Sequence, residues 1–176
     1  MKKILLVLLV AATFCLDTNN LHAQAYESGS KVLNIGLGVG GRYSLGIGVS
    51  GSFEVGIWET GDFGIIGLGA FTGFRYSSGT IIFDDVNYTE LVFGPRGTYH
   101  FTIIPVENLD VYAAVQILFD IESTNYKSDL IEDFNTFYVR PSAVAGIRYY
   151  FSDGFAIFGE LGYGLTYFTG GVSFKF

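Results

Sequence analysis

Cysteine is nearly absent: Cys15 is the only one in 176 residues. It falls in a segment read below as removable, so the rest of the chain has neither a disulfide framework nor thiol chemistry. Charge is sparse as well. Asp, Glu, Lys and Arg make up 15% of the chain, against about a quarter in ordinary soluble domains, too few to clothe a soluble exterior. The formal charge is −7, with no basic stripe to neutralise phosphates, which excludes a nucleic-acid role through bulk electrostatics. Long hydrophobic runs are also missing. Although 49% of the residues are apolar and 17% aromatic, no stretch reaches the ~20 consecutive apolar residues of a spanning helix. Walker loops, dinucleotide fingerprints and nucleophile elbows are absent too.

What is present begins with an export signal. Met1-Lys2-Lys3 is a short basic region, and Ile4 to Ala12 is an apolar run of signal length. Ala23-Gln24-Ala25 then puts small residues at the −3 and −1 positions of a cleavage site, so residues 1–25 read as a cleaved signal peptide. Cutting after Ala25 leaves Tyr26 first, and cutting after Ala23 is the alternative. Cys15 is not read as a lipid anchor, because Phe14 precedes it where such a signal wants a small residue. Removal of Lys2, Lys3 and Asp17 leaves eight basic and 16 acidic residues in the domain spanning 26–176.

That domain alternates. Strands are expected at 31–41, 45–58, 63–76, 87–101, 109–122, 136–151, 155–165 and 168–176, several of them longer than the nine to eleven residues that cross a bilayer. Tight turns, Glu59-Thr60-Gly61-Asp62 and Ser152-Asp153-Gly154, follow strands 2 and 6. Longer polar loops, 77–86 and 123–135, follow strands 3 and 5. Short turns on one side and long loops on the other suit a membrane barrel with periplasmic turns and external loops.

The two faces of each strand differ. On strand 5, Val111, Ala113, Val115, Ile117, Phe119 and Ile121 share one face, and Tyr112, Ala114, Gln116, Leu118, Asp120 and Glu122 the other. Strands 4 and 6 divide in the same way, with Glu90, Val92, Arg96, Thr98 and His100 on one inner face and Tyr138, Arg140, Ser142, Arg148 and Tyr150 on the other. Strand 3 is ambiguous, because Ile65 and Ile66 break the alternation. The charged face mixes both signs with Gly and Tyr, as a packed polar lumen does. The charge-free face is therefore assigned to lipid, where only a closed ring satisfies every backbone group. The expected fold is all-β, an eight-stranded antiparallel up-and-down transmembrane β-barrel. Tyr43, Trp58, Phe63, Tyr76, Tyr99, Phe101, Tyr149, Tyr150, Phe151 and Tyr163 are expected in aromatic girdles. Pro95 and Pro141, which remove ladder hydrogen bonds, are expected to sit at bulges or bends.

The last strand ends Gly170-Gly171-Val172-Ser173-Phe174-Lys175-Phe176, with Phe174 and Phe176 on one face. Together with Phe158-Gly159-Glu160-Leu161-Gly162-Tyr163-Gly164-Leu165, it resembles the closing strands of small eight-stranded outer-membrane β-barrel proteins of the OmpX and OmpA-barrel type. The resemblance covers essentially all of the mature chain. It implies a bacterial outer-membrane location, contact with outer-membrane lipid and lipopolysaccharide, and a barrel-assembly machinery that reads Phe174 and Phe176 during insertion. That group is functionally heterogeneous, so fold does not give function.

The inward set Glu54, Glu90, Arg96, Asp120, Arg140, Arg148, Glu160 and Lys175 is read as a structural charge cluster filling a narrow lumen. No catalytic site, cofactor or metal site is expected. A filled lumen offers acid–base carboxylates no cleft. His100, the only histidine beyond residue 25, lacks the companions that a metal site needs. It also points inward, away from any Ser–His–acid site on the lipid face. The expected role is envelope structure or surface interaction, with an external ligand possible at loops 77–86 and 123–135. A small pore or transporter and a lipid-modifying enzyme are the alternatives.

Overall fold

The computed structural model describes residues 26–42, 45–81, 84–104, 106, 108–126 and 134–176. The signal-peptide reading of 1–25, Tyr43 and residues 127–133 of the expected loop 123–135 lie outside them. Eight strands follow one another: β1 (Lys31–Val39), β2 (Gly46–Glu59), β3 (Gly64–Ile81), β4 (Asp84–Phe101), β5 (Leu109–Tyr126), β6 (Phe134–Ser152), β7 (Phe155–Tyr163) and β8 (Phe168–Lys175). Each pairs antiparallel with its neighbours, and β1 pairs with β8 to close the barrel.

The register fixes the stagger of the ring. From Gly36, successive partners across β2 to β6 are Ser50, Gly73, Val92, Asp120 and Tyr138. The other way round, Gly36 leads through Gly171 and Phe158 to Arg148. The two routes meet β6 ten residues apart, at Tyr138 and at Arg148. A stagger of that size over eight strands tilts them by about 35–45° and leaves an interior just wide enough for side chains.

The facing follows the alternation. Val115, Ile117, Leu161 and Phe168 are exposed on the outside, while Glu54, Arg96, Leu118, Asp120 and Arg148 are buried inside. The phase of β3 does not break. Ile65 is an inward apolar residue that packs on Tyr26 and Val32, which is why the sequence reads ambiguously there. Tyr150 corrects the girdle assignment, since its side chain is fully buried in the lumen. Trp58, Phe63, Tyr76, Phe101, Tyr149, Phe151 and Tyr163 are exposed as expected.

The prolines do not sit at the expected bulges. The register runs unshifted past both, and the irregularities fall between Gly56 and Trp58 and between Tyr150 and Ser152. Pro95 sits where the β4–β5 ladder pauses between Phe93↔Phe119 and Arg96↔Gln116. Pro141 lies just past Ala143↔Tyr163, the last β6–β7 pair. On that side its missing N–H has no β7 partner to lose.

Strand lengths divide the barrel. β3 to β6 have 18, 18, 18 and 19 residues, whereas β7, β8 and β1 have nine, eight and nine. Much of what the sequence reads as loops 77–86 and 123–135 is therefore strand. Ser77↔Tyr88, Gly79↔Val86, Asn87↔Asn125 and Thr124↔Phe134 continue the ladders. Polar residues on both faces hid this from the alternation, yet cross-strand pairing needs only backbone groups and compatible side chains. The end carrying these hairpins is called the upper end. There, residues 134–142 of β6 rise past the top of β7.

Candidate functional site

The lumen holds two layers of ion pairs. The lower one is built around Arg148, whose inward position on β6 aims it across the barrel. Its Nη2 donates to Glu54 Oε1 at 2.6 Å, its Nη1 to Asp110 Oδ2 at 2.6 Å, and its Nε to Ser173 Oγ at 3.2 Å. Arg96 Nη2 donates to Glu160 Oε1 at 2.5 Å, and the Tyr112 hydroxyl donates to the same oxygen at 2.7 Å. The guanidinium of Arg148 also lies over the Tyr112 ring, 4.9 Å from its centre.

His100 joins this layer. Its Nδ1 is 2.8 Å from Asp110 Oδ1 and its Nε2 is 3.0 Å from Thr98 Oγ1. Hydroxyl, imidazole and carboxylate thus stand in the order that nucleophilic catalysis uses. All three are almost fully buried, the other Asp110 oxygen is held by Arg148, and the Tyr26 ring lies flat on the imidazole at 3.6 Å. The contacts make a hydrogen-bonded brace.

Tyr26 belongs to a hook at the lower mouth. Gly29 N donates to Gly56 O, and Gly56 N donates back to Ser30 O. A side chain at Gly56 would meet Glu27 O at 2.6 Å, so glycine there lets the hook approach. Burial pushes the Tyr26 hydroxyl well above its ordinary pKa, so it is neutral.

The upper layer is separate. Arg75 holds Glu90 with two bonds, Nε to Oε2 at 2.9 Å and Nη2 to Oε1 at 2.8 Å. Arg140 Nε donates to Asp120 Oδ2 at 2.7 Å, and its Nη1 to Gly164 O at 2.9 Å. Arg42, in the β1–β2 connection, reaches Tyr138 OH at 2.8 Å and Glu122 at 3.7 Å across the mouth.

Between the layers lies an apolar plate of Phe71, Val92, Leu118 and Leu165. Leu165 and Thr166 come from the β7–β8 turn, which folds into the barrel and buries both. Glycines make the room: a side chain at Gly73 would meet Leu165 at 2.5 Å, and one at Gly48 would meet Thr166 at 3.1 Å.

The structure brings Glu54, Arg96, Arg148 and Glu160 of the expected charge cluster into the lower layer, and Glu90, Asp120 and Arg140 into the upper. Lys175 lies against the Tyr150 ring, its ammonium 5.0 Å from the ring centre. Phe174 and Phe176 are exposed, and Phe176 N donates to Lys31 O at the seam. Sequence reasoning missed Arg75, Asp110, Arg42 and the Tyr26 hook. Asp110 shares the parity of Tyr112 and was within reach of the pattern. Arg75 was lost with the phase of β3, and Tyr26 carries no periodic signal. Among the described residues, no group of three or more His, Cys, Asp or Glu could hold a metal ion, and no helix is long and apolar enough to cross a membrane.

An apolar exterior around a ring of inward ion pairs defines the class: an eight-stranded up-and-down barrel of the transmembrane type. A de novo designed transmembrane β-barrel superposes with a TM-score of 0.53 at 17% identity, covering 87% of this chain and 100% of the design. The N-terminal β-barrel domain of OprF from Pseudomonas aeruginosa gives a TM-score of 0.49 at 19% identity, covering 85% of this chain and 98% of that domain. At such identities the likeness concerns the fold alone. No family model and no curated protein matches the chain.

Proposed function

We propose that this chain is an integral protein of the bacterial outer membrane with a filled lumen, serving envelope structure and surface contact. The observation that carries the reading is the inversion of the usual distribution, with apolar side chains outside and ion pairs inside. Residues 1–25 supply the export route, and Phe174 and Phe176 the signal for the assembly machinery. Outer-membrane lipid and lipopolysaccharide surround the outer face. The filled lumen is supported by the apolar plate between the two ion-pair layers, by the Tyr26 hook at the lower mouth and by Arg42 reaching across the upper one. The role is non-enzymatic, because the Thr98–His100–Asp110 line is buried under Tyr26.

Surface contact is assigned to the β3–β4 and β5–β6 hairpins. Above the top of β7, Phe134 to Val139 of β6 form an edge with no charge and no proline before Pro141, a segment suited to pairing with an extended partner. Fractionation and planar-bilayer recording test the reading together. The chain is expected in outer-membrane fractions, starting at Tyr26 or Gln24, with no steady ion conductance. Recovery from the soluble periplasm would remove the membrane assignment, and a stable conductance would replace the filled lumen with a pore. Trimming both hairpins to the height of β7 is expected to abolish surface binding while the barrel still folds.

A further inference from the structure

Three inward side chains in one cross-strand row carry polar atoms with no hydrogen-bond partner among the described residues. Arg96 on β4, Gln116 on β5 and Ser142 on β6 are successive register partners, with relative exposures of 1%, 5% and 4%. The atoms concerned are Arg96 Nε, Gln116 Oε1 and Ser142 Oγ. Directly opposed inward residues hold their Cβ atoms about 4.5–5.5 Å apart, so the three groups share one stretch of lumen wall. A fourth such atom, Glu54 Oε2, stands 4.0 Å from Arg96 Nε and 3.8 Å from His100 Nε2, too far for a hydrogen bond to either.

Charge around the row is already balanced. Both Nη atoms of Arg96 are engaged by Glu160, and the other oxygen of Glu54 is held by Arg148. A ligand here has to be neutral, small, and both donor and acceptor. Arg96 Nε–H can only donate, Gln116 Oε1 and Glu54 Oε2 can only accept, and the Ser142 hydroxyl does either.

We propose that the Arg96–Gln116–Ser142 row is an internal hydration site holding one or two ordered waters. Water meets all the requirements at once. It accepts from Arg96 Nε–H, donates to Gln116 Oε1 and Glu54 Oε2, and exchanges a bond with Ser142 Oγ; buried waters typically make about three such bonds. The 4.0 Å between Arg96 Nε and Glu54 Oε2 is a separation that one water spans with two ordinary hydrogen bonds. The site links the lower ion-pair layer to the inward turn, since a Cβ at Gly164 would stand 3.3 Å from Ser142 Oγ. The filling of the lumen is thus completed by solvent at the height where the side chains stop short.

The test is solution NMR on the isotope-labelled, refolded barrel, reading the Arg96 Nε–H proton against the water resonance. The expected result is a cross-peak whose sign in the rotating frame is opposite to the diagonal, which separates a held water from proton exchange. In the double variant Gln116→Leu, Ser142→Val the space is filled and the peak is expected to be lost, with the backbone spectrum retained. A wild-type barrel without the peak overturns the proposal. So does a folded double variant that keeps the peak at full intensity. If the double variant fails to fold, Ser142→Ala, which removes one partner but adds room, is expected to retain the peak; its loss there overturns the proposal as well.

Discussion

The wall formed by β3 to β6 and the wall formed by β7, β8 and β1 belong to one sheet yet are built for different surroundings. The short wall spends its eight or nine residues per strand on the crossing, close to the minimum for a tilted strand. Glycine line-ups on its inner face make room for the inward β7–β8 turn and for Phe158. The tall wall crosses the same thickness and then continues for about half its length. There the outer face turns from Leu91, Ile121 and Phe137 to Thr89, Ser123 and Asn135. The difference in strand length lies at one rim, since the lower ends of all eight strands lie close to one level.

The two walls are tied by Arg148, which sits on β6 and reaches β1, β2, β5 and β8 through Asn34, Glu54, Asp110 and Ser173. Cutting that tie is the harshest way to break the comparison. Arg148→Met leaves two buried carboxylates without their main partner and is expected to lower stability by about 3–5 kcal/mol. Denaturant titration scored by heat-modifiable migration on gels measures this. A change below about 1 kcal/mol would mean that the layer is not a structural tie.

The next test sharpens the difference in height. Leu161→Arg, midway along the outer face of the short wall, is expected to cost about 2–4 kcal/mol, whereas Ile121→Arg, near the top of the apolar band on the tall wall, should cost about 0–1 kcal/mol. The same titration reads both, and equal costs would erase the distinction between the walls.

A third pair probes the two faces of the short wall. Gly38→Val drives a side chain into Thr166 and to 2.9 Å from Phe168 O, so about 1–3 kcal/mol is expected from overpacking. Gly159→Ala meets nothing within 4 Å and should stay within about 0.5 kcal/mol of the parent. An indifferent Gly38→Val would show that the turn does not seat inside the barrel.

How much of this the sequence discloses depends on what each residue has to satisfy. β5 is legible in full, because Val111 to Ile121 and Tyr112 to Glu122 must keep opposite surroundings along their whole length. The hairpin tips are not, because Asn87, Asn125 and Thr136 see polar surroundings and leave no periodic trace. The inward charges are legible as a set. Their division into two layers is not, because it depends on the ten-residue stagger, which sets Glu54 across the lumen from Arg148, and on the β5–β6 register, which sets Asp120 beside Arg140. The Tyr26 hook and the inward Leu165 depend on close approach to glycines that read only as abundance.

Closure has a kinetic side. Seven of the eight ladders join strands adjacent in the chain, and each needs only a short connection to form. The seam between β1 and β8 joins the two ends of the described chain, and its loop-closure entropy is the largest in the molecule. An open meander of seven ladders would therefore precede the ring, with the seam as the slow step. Arg148 contacts Asn34 on one lip of that seam and Ser173 on the other, and Ser173 Oγ itself donates to Asn34 Oδ1 at 2.6 Å. The last ladder and the central ion pairs thus assemble as a single event.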